Sequence, residues 1–196
     1  MKGLLIVALL AGPQLSGEVS TWAIDPAHTS TEFTARHLVI SSVHGLFGRT
    51  TGTIRLDERD LTRSSVEAVV DVSSLDTRVA ERDADLKSPR FFDVAKYPTI
   101  TFKSTRVEKA GENRLRVTGD LTLKGTTRSV VLEVTYSPMA VTGVRGETRR
   151  GFNGILQVNR KDFGLSYAQA VEAGPVVSDE ITIIVDAEAV KSEELP

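Results

Sequence analysis

Three histidines, His28, His37 and His44, are the side chains best able to do acid–base or metal chemistry near neutral pH. Their spacing matches no zinc-binding pattern, and few acidic residues accompany them. We therefore interpret them as capping, turn-forming or buried hydrogen-bonded imidazoles, and we expect no metal site. Cysteine is absent, which excludes a thiolate nucleophile, a disulfide and a cysteine-ligated metal.

The hydroxyl side chains give no indication of nucleophilic catalysis either. The sequence has no G-x-S-x-G motif, in which a sharp strand-to-helix turn exposes a nucleophilic serine. Most serine and threonine residues instead occupy the polar positions of alternating segments. We therefore expect a protein that is not an enzyme and needs no cofactor.

The composition is that of one ordinary globular domain. The chain has 196 residues, of which 40% are apolar and 26% are charged, so it can bury a sizeable core. Its 24 basic and 26 acidic residues leave a formal charge of −2. Such a balance lacks the basic excess of nucleic-acid-binding proteins, and we expect no nucleic acid as a partner.

The first residues have the layout of a secretory signal. Lys2 is followed by an apolar run over residues 3–12 and then by Pro13. The run is too short to span a bilayer, which needs ~20 apolar residues. We predict a signal peptide over residues 1–17, a domain over residues 18–191 and a short acidic tail over residues 192–196. This predicts a periplasmic or secreted protein; the alternatives are a cytoplasmic protein with a helical N-terminal extension, or a misassigned start codon.

From Trp22 onward, apolar and polar residues alternate with a period of two, which predicts strands with one buried face. About eight such strands are indicated, at residues 31–37, 47–56, 66–72, 100–102, 115–123, 130–136, 152–158 and 181–189. One-sided antiparallel strands form a sandwich or a closed barrel, and closure also removes exposed edges. Strands of ~12 residues, tilted by roughly 40°, would give a barrel on the order of 30 Å tall.

Two connections have their own signals. Lys124-Gly125-Thr126 predicts a tight hairpin between two alternating segments. Residues 78–88 break the alternation with apolar residues at helical spacing, which predicts a short helical crossover. Asp76 or Thr77 is the expected N-cap of this helix, and Pro89 is expected to end it.

Small residues recur at the positions expected to face inward, namely Ala35, Gly119, Gly154, Ala187 and Ala189. Small side chains leave volume unfilled, which favours a lumen inside the barrel. The alternative is that larger neighbouring side chains occupy the same space.

Ten separated segments, in this order, resemble the YceI-like polyisoprenoid-binding proteins. They are residues 22–28, 36–38, 45–47, 76–77, 82–83, 86–88, 91–93, 97–102, 119–125 and 159–164. The resemblance spans residues 22–189. The sequence departs from the family at Thr50, where an aromatic residue is usual, and at Ser129, where proline is usual; we expect Thr50 to alter the width of the pocket.

The resemblance implies an all-β fold, an extended eight-stranded antiparallel barrel of the lipocalin-like type with a short helical crossover. It also implies a long-chain isoprenoid lipid, a polyprenyl compound or an isoprenoid quinone, bound in the lumen. Such a protein would act as a carrier or buffer in the bacterial cell envelope, with transient membrane contact and a possible homodimer. The alternatives are an enzyme acting on an isoprenoid lipid and a ligand-free structural or stress-response barrel.

Strand register then predicts which residues line the lumen. They are Phe33, Ala35, Phe47, Ile54, Ile100, Phe102, Val117, Gly119, Leu121, Leu132, Val134, Phe152, Gly154, Leu156, Ile183 and Val185. Arg160 falls on the same inward register and must find a carboxylate, backbone acceptors or a lipid head group.

Two further groups of residues leave alternatives open. Arg145, Arg149 and Arg150 form a basic cluster, which we interpret as a solvated surface; the alternative is contact with anionic lipid head groups. Arg82-Asp83 and Phe91-Phe92-Asp93 are expected to fix the crossover onto the barrel through an ion pair and aromatic packing. The alternative is that this segment is a lid over the mouth of the lumen.

Overall fold

The computed structural model describes residues 19–167, 170–171 and 174–192. The predicted signal peptide, residues 1–17, and residues 193–196 of the predicted tail lie outside the described residues. The backbone N–H of Ser192, the first residue of that tail, donates a hydrogen bond to the carbonyl of Thr21.

The described residues form strands, with a single α-helix among them. The strands are β1 (Ser20–Ile24), β2 (Ser30–His37), β3 (Ser41–Phe47), β4 (Thr50–Leu56), β5 (Ser65–Asp71), β6 (Leu75–Asp76), β7 (Thr99–Gly111), β8 (Arg114–Leu123), β9 (Thr126–Tyr136), β10 (Val141–Thr142), β11 (Thr148–Asn159), β12 (Ala170–Val171), β13 (Gly174–Pro175) and β14 (Val177–Lys191). The helix is α1 (Ala80–Lys87), and short 3₁₀ turns lie at Pro26–His28, Leu61–Arg63, Val72–Ser74 and Arg160–Phe163.

Antiparallel pairing closes the main sheet into a barrel, because β11 pairs with both β9 and β14. The short strands β1 and β2 lie end to end along β14, and β3 and β4 lie end to end along them. The strands β5 and β6 continue the same arrangement. When each end-to-end pair is counted as one strand, the barrel has eight antiparallel strands, namely β1/β2, β3/β4, β5/β6, β7, β8, β9, β11 and β14. The predicted fold class is confirmed.

Aspartates explain why the barrel strands near the N-terminus are interrupted. Asp25 precedes Pro26, and its carboxylate accepts a hydrogen bond from the backbone of Ala27, which ends β1 in a 3₁₀ turn. Asp71 accepts from the backbone of Ser73 in the same way, at 2.9 Å, and ends β5. The strand predicted over residues 66–72 therefore ends one residue earlier, at Asp71, because alternation does not detect a capped turn.

The hairpin predicted at Lys124-Gly125-Thr126 joins β8 to β9. Lys124 and Gly125 both have positive φ angles, of 48° and 73°, and Leu123 pairs with Thr126 across the turn. Two successive left-handed residues are what a two-residue hairpin of this twist requires. The predicted hairpin is confirmed.

The short helical crossover is also confirmed, but its capping differs from the prediction. The N-cap of α1 is Val79, which makes no side-chain hydrogen bond. Asp76 instead accepts from the backbone of Arg78, a residue with a φ of 65°. The helix starts later than expected because this left-handed residue must be accommodated first.

Candidate ligand-binding lumen

The interior of the barrel contains a cavity of about 250 Å³. Its wall is built from inward-facing apolar side chains of every barrel strand, together with Leu86 of α1. The polar residues of the described wall are Thr31, Thr50, Ser64, Ser65 and Arg160, and the surface that they contribute is almost entirely apolar. An almost entirely apolar cavity selects a hydrocarbon ligand, since a polar ligand would lose hydrogen bonds to water without replacement.

Most of the predicted lumen residues lie on the cavity wall. They are Phe33, Phe47, Ile54, Ile100, Phe102, Val117, Leu121, Leu132, Val134, Phe152, Gly154, Leu156, Ile183 and Val185, and Arg160 joins them. The structure therefore brings together residues from seven separate alternating segments. Period-two alternation alone identified these positions, because the pleat directs every second side chain inward.

Ala35 and Gly119 are absent from the cavity wall. A Cβ atom at Gly119 would lie 2.5 Å from Cζ of Phe102, so the phenyl ring already covers this position. Ala35 is buried between its register partners Val43 and Ile181, of which the longer Ile181 reaches the cavity. For these two residues the predicted lining position is wrong, because cross-strand neighbours with longer side chains cover them.

The small inward residues therefore contribute less to the cavity than expected. Gly154 and Ala187 border it, whereas Ala189 is fully buried in a packed cluster with Trp22. A Cβ atom at Gly154 would meet the side chain of Leu132 at 3.0–3.1 Å, which leaves little spare space on that side. Of the five small residues predicted to face inward, Gly154 and Ala187 are consequently the two at which a larger side chain would enter the lumen.

Other wall residues were missing from the prediction. Val107, Leu115, Leu123, Val158 and Ala187 lie on the wall. Four of them continue inward registers that the sequence displays, whereas Val107 faces inward because the register of β7 shifts between Ser104 and Arg106. Phe91, Phe92, Phe163 and Leu165 also line the cavity, but they lie in loops and a 3₁₀ turn, where no period-two signal exists. Apart from Val107, the strand positions follow from period-two alternation, whereas the loop positions do not.

The segment after α1 closes one end of the barrel with aromatic rings. Phe92 packs edge-on against Phe47, with ring centroids 5.7 Å apart, and its backbone N–H donates to the carbonyl of Leu86. Phe91 packs against Tyr167 at 5.1 Å, and the guanidinium of Arg90 lies 4.7 Å from the centre of the Tyr167 ring. The predicted aromatic packing is present, and the same rings form part of the cavity wall.

The charged pair in this segment acts differently from the prediction. Arg82 and Asp83 do not pair with each other, and both bind Thr77, which is buried just before the helix. The Asp83 carboxylate accepts from the backbone N–H of Thr77 at 2.8 Å, and Arg82 donates to the Thr77 carbonyl at 2.7 Å. These bonds fix the helix to the chain that leaves the barrel wall.

Arg160 lies at the same end of the cavity and is 6% exposed. Its Nε donates to the carbonyl of Ser178 at 2.9 Å, Nη2 donates to the Asp179 carboxylate at 2.9 Å, and Nη1 donates to the carbonyl of Leu165. These protein acceptors meet the requirement of a buried guanidinium. They favour a structural role in anchoring the start of β14 over contact with a head group.

The cluster of Arg145, Arg149 and Arg150 is only in part a solvated surface. Arg149 is 20% exposed and binds the carboxylates of Asp25, Glu147 and Glu188. Arg150 is 7% exposed, and Arg145 alone is fully at the surface. The predicted solvated surface is therefore wrong for Arg149 and Arg150, because β11 directs them into the ends of the barrel strands beside acidic residues.

Asp25 is the centre of this ionic network. Its carboxylate contacts Nδ1 of His28 at 2.9 Å and Nη1 of Arg149 at 2.8 Å. These hydrogen bonds, that of His28 first, lower the pKa of Asp25 to about 2. Asp25, His28 and Glu188 could together reach a metal ion, but the Arg149 guanidinium already bridges the two carboxylates. The interpretation of His28 as a turn residue agrees with this arrangement.

Asp25→Asn is expected to lower the free energy of unfolding by about 1–2 kcal/mol at pH 7. The pKa of Asp25 is lowered from an ordinary value of 3.8, so its charged form stabilises the fold above that pH. The contribution is lost as the pH falls from 3.8 toward 2. Urea unfolding of both proteins should therefore show a difference that nearly vanishes at pH 2. Asp120→Asn, at an exposed strand position, measures the effect of neutralising a carboxylate outside this ionic network. An equal difference at both pH values would contradict this account.

Comparison with known proteins assigns the barrel to a family. Residues 22–189 match the YceI-like domain, which covers the whole barrel from β1 to β14. The chain belongs to the YceI-like family. Among the described residues of this YceI-like protein, no helix is long and apolar enough to cross a membrane.

Relatives in sequence and in structure agree with the assignment. The chain is 37% identical over 161 residues to a UPF0312 protein of Vibrio parahaemolyticus, which covers 81% of this chain and 85% of that protein. The YceI protein of Campylobacter jejuni is 27% identical, with a TM-score of 0.69 over 81% of this chain and 90% of that one. A polyisoprenoid binding domain from Saccharophagus degradans shares the fold, with a TM-score of 0.67 and 16% identity, over 89% of this chain and 100% of that one.

Proposed function

We propose that this YceI-like protein binds a long-chain isoprenoid lipid in the barrel lumen and acts as a carrier or buffer in the bacterial cell envelope. The observation that carries the proposal is the apolar cavity of about 250 Å³ enclosed by a barrel of this family. The Saccharophagus degradans neighbour, described as a polyisoprenoid binding domain, supports the ligand class.

The shape of the cavity favours a linear ligand. Along β11 the wall runs from Phe152 to Val158, six residue steps or about 20 Å of strand. It continues to Arg160 and Phe163 at the closed aromatic end, and to Ser64 and Ser65 at the other. A long and narrow space of this kind fits an extended hydrocarbon chain better than a compact ligand.

The energetics of such a ligand indicate exchange with a membrane. Burying tens of methylene groups from water, at about 0.8 kcal/mol each, would exceed the usual ceiling for binding of about −20 kcal/mol. The lipid comes instead from a membrane, where its tail is already out of water. The net free energy of transfer is then small, which permits both uptake and release and suits a carrier that contacts membranes transiently.

The polar groups of the wall support binding rather than catalysis. The hydroxyls of Thr31 and Thr50 lie 2.8 Å apart and share a hydrogen bond. The hydroxyl of Ser64 accepts from the backbone N–H of Asp57, and Arg160 is held by protein acceptors. These groups of the described wall are engaged by one another or by protein groups outside the wall, and they are not arranged as a nucleophile beside a base.

One preparation tests both the ligand and the location. The protein is purified from its native host, its intact mass is measured, and an organic extract is analysed by mass spectrometry. We expect loss of about 17 residues, as for a processed signal peptide, and an isoprenoid lipid in the extract. A full-length protein found only in the cytosol would contradict the envelope location. An extract without isoprenoid, even after incubation with membranes, would contradict the carrier function.

A further inference from the structure

Arg150 lies at the end of the barrel opposite to Arg160. It has the inward register of Phe152, pairs with Ala189 across β11 and β14, and is 7% exposed. Its guanidinium stacks on the ring of Trp22 at 5.6 Å and reaches Glu58, after β4, at 3.2 Å. The Arg150 side chain therefore reaches from β11 across the end of the barrel, past β14 and β1, to the residues that follow β4.

One donor of this guanidinium is unused. Within the described residues, Nε of Arg150 is the buried side-chain nitrogen that has no hydrogen-bond partner. An enclosed N–H without an acceptor destabilises the fold, and more so when the group is charged. Arg160, by comparison, has an acceptor for Nε and for both terminal nitrogens. The two buried arginines on the inner face thus differ in whether the Nε–H has an acceptor.

The unused donor lies behind the residues that line this end of the lumen, because Arg150 and Trp22 are not themselves on the cavity wall. Trp22 belongs to a packed cluster with Ile24, Ile54 and Leu56, and these three residues also line the cavity. Phe152, two residues after Arg150 and on the same inward register, lines it as well. A ligand that fills the cavity to this end would contact these four wall residues, and a polar end group that extends past them would reach the Arg150 guanidinium.

We propose that Arg150 binds the polar end of the lumen lipid by donating its Nε–H to an uncharged oxygen, such as a carbonyl or hydroxyl oxygen. The proposal rests on the proposed function. An uncharged acceptor fits because Glu58 already supplies the counter-charge of the guanidinium. A phosphate would place a second anion beside Glu58, and the two like charges would repel each other.

Three probes with the same chain test this site: geranylgeraniol, its deoxygenated hydrocarbon and its monophosphate ester. Trp22 is the single tryptophan of the chain, so its fluorescence reports binding next to Arg150. We expect the alcohol to bind about ten- to one-hundred-fold more tightly than the hydrocarbon, the range for a hydrogen bond to a charged group. The monophosphate should bind no more tightly than the alcohol.

Arg150→Met keeps an unbranched side chain over Trp22 and removes the donors. It should abolish the preference for the alcohol and leave the affinity for the hydrocarbon unchanged. Arg145→Met, which changes an exposed arginine of the turn before β11, should retain the preference. Glu58→Gln alters only an exposed residue and should shift the preference toward the monophosphate, so the test does not depend on Arg150→Met folding.

The outcomes separate this proposal from the function on which it rests. Equal binding of the alcohol and the hydrocarbon by the unmodified protein would overturn the proposed role of Arg150. An internal water would then be the acceptor of the hydrogen bond from Nε. Tightest binding of the monophosphate would overturn the uncharged acceptor. In both cases the lumen would still hold a lipid. Failure of all three probes to bind would overturn the lipid-binding function itself.

Discussion

Gly154→Trp is expected to remove most of the isoprenoid lipid that, under the proposed function, co-purifies with the protein. Gly154 borders the cavity from the middle of β11, and an indole there would occupy a large part of about 250 Å³. Its Cβ atom would press on Leu132 at 3.0–3.1 Å, so overpacking should cost about 1–3 kcal/mol. Circular dichroism establishes folding, and mass spectrometry of the extract measures the lipid retained.

The neighbouring residue supplies a matched control. Ile155 faces outward on the same strand and is 46% exposed, so Ile155→Trp adds the same side chain without entering the lumen. Ala187→Phe blocks the cavity from β14 and serves if Gly154→Trp does not fold. Full lipid occupancy in a folded, blocked variant would place the ligand elsewhere, for instance at the interface of a homodimer.

Phe92→Ala is expected to lower the free energy of unfolding by about 3–5 kcal/mol. Phe92 is 9% exposed, packs against Phe47 and belongs to the largest core cluster, so its removal leaves a cavity that the surrounding strands cannot fill. Urea unfolding measures the loss. The result would assign the segment after α1 to the core.

The opposite result would identify this segment as a lid. A lid residue contributes little to global stability but limits the rate at which a ligand enters the lumen. Phe92→Ala would then have the same free energy of unfolding as the unmodified protein and would take up lipid faster. Val79→Ala, at an exposed position just before α1, controls for general loosening of the crossover. Stopped-flow uptake of a fluorescent prenyl lipid from vesicles distinguishes the two cases.

Period-two alternation predicts most of the barrel and most of its inner wall, because both follow from the pleat of a single strand. It fails where neighbouring strands decide the outcome. Gly119 has the inward register, but the Phe102 ring of the adjacent strand covers it. Whether a small residue leaves space or provides room for a neighbour depends on which rotamer that neighbour adopts.

The charged residues show the same limit more strongly. Adjacent positions predict an Arg82–Asp83 pair and a solvated arginine cluster, whereas the structure joins Arg82 and Asp83 to Thr77 and buries Arg150 against Trp22. Trp22 and Arg150 are distant in sequence, and only the closure of the barrel through β14 brings them together. Local sequence does not encode such a contact.

The closure of the barrel also determines when the protein can finish folding. Trp22 in the first strand pairs with Lys191 in β14, and β14 also pairs with β11, so the last seam joins opposite parts of the chain. Contacts of such long range are slow to form, because much chain entropy is lost before they stabilise the fold. Until β14 is in place, β1, β2 and β11 present unpaired edges that can aggregate. A chaperone that holds the nascent chain until residue 191 has emerged would protect these edges.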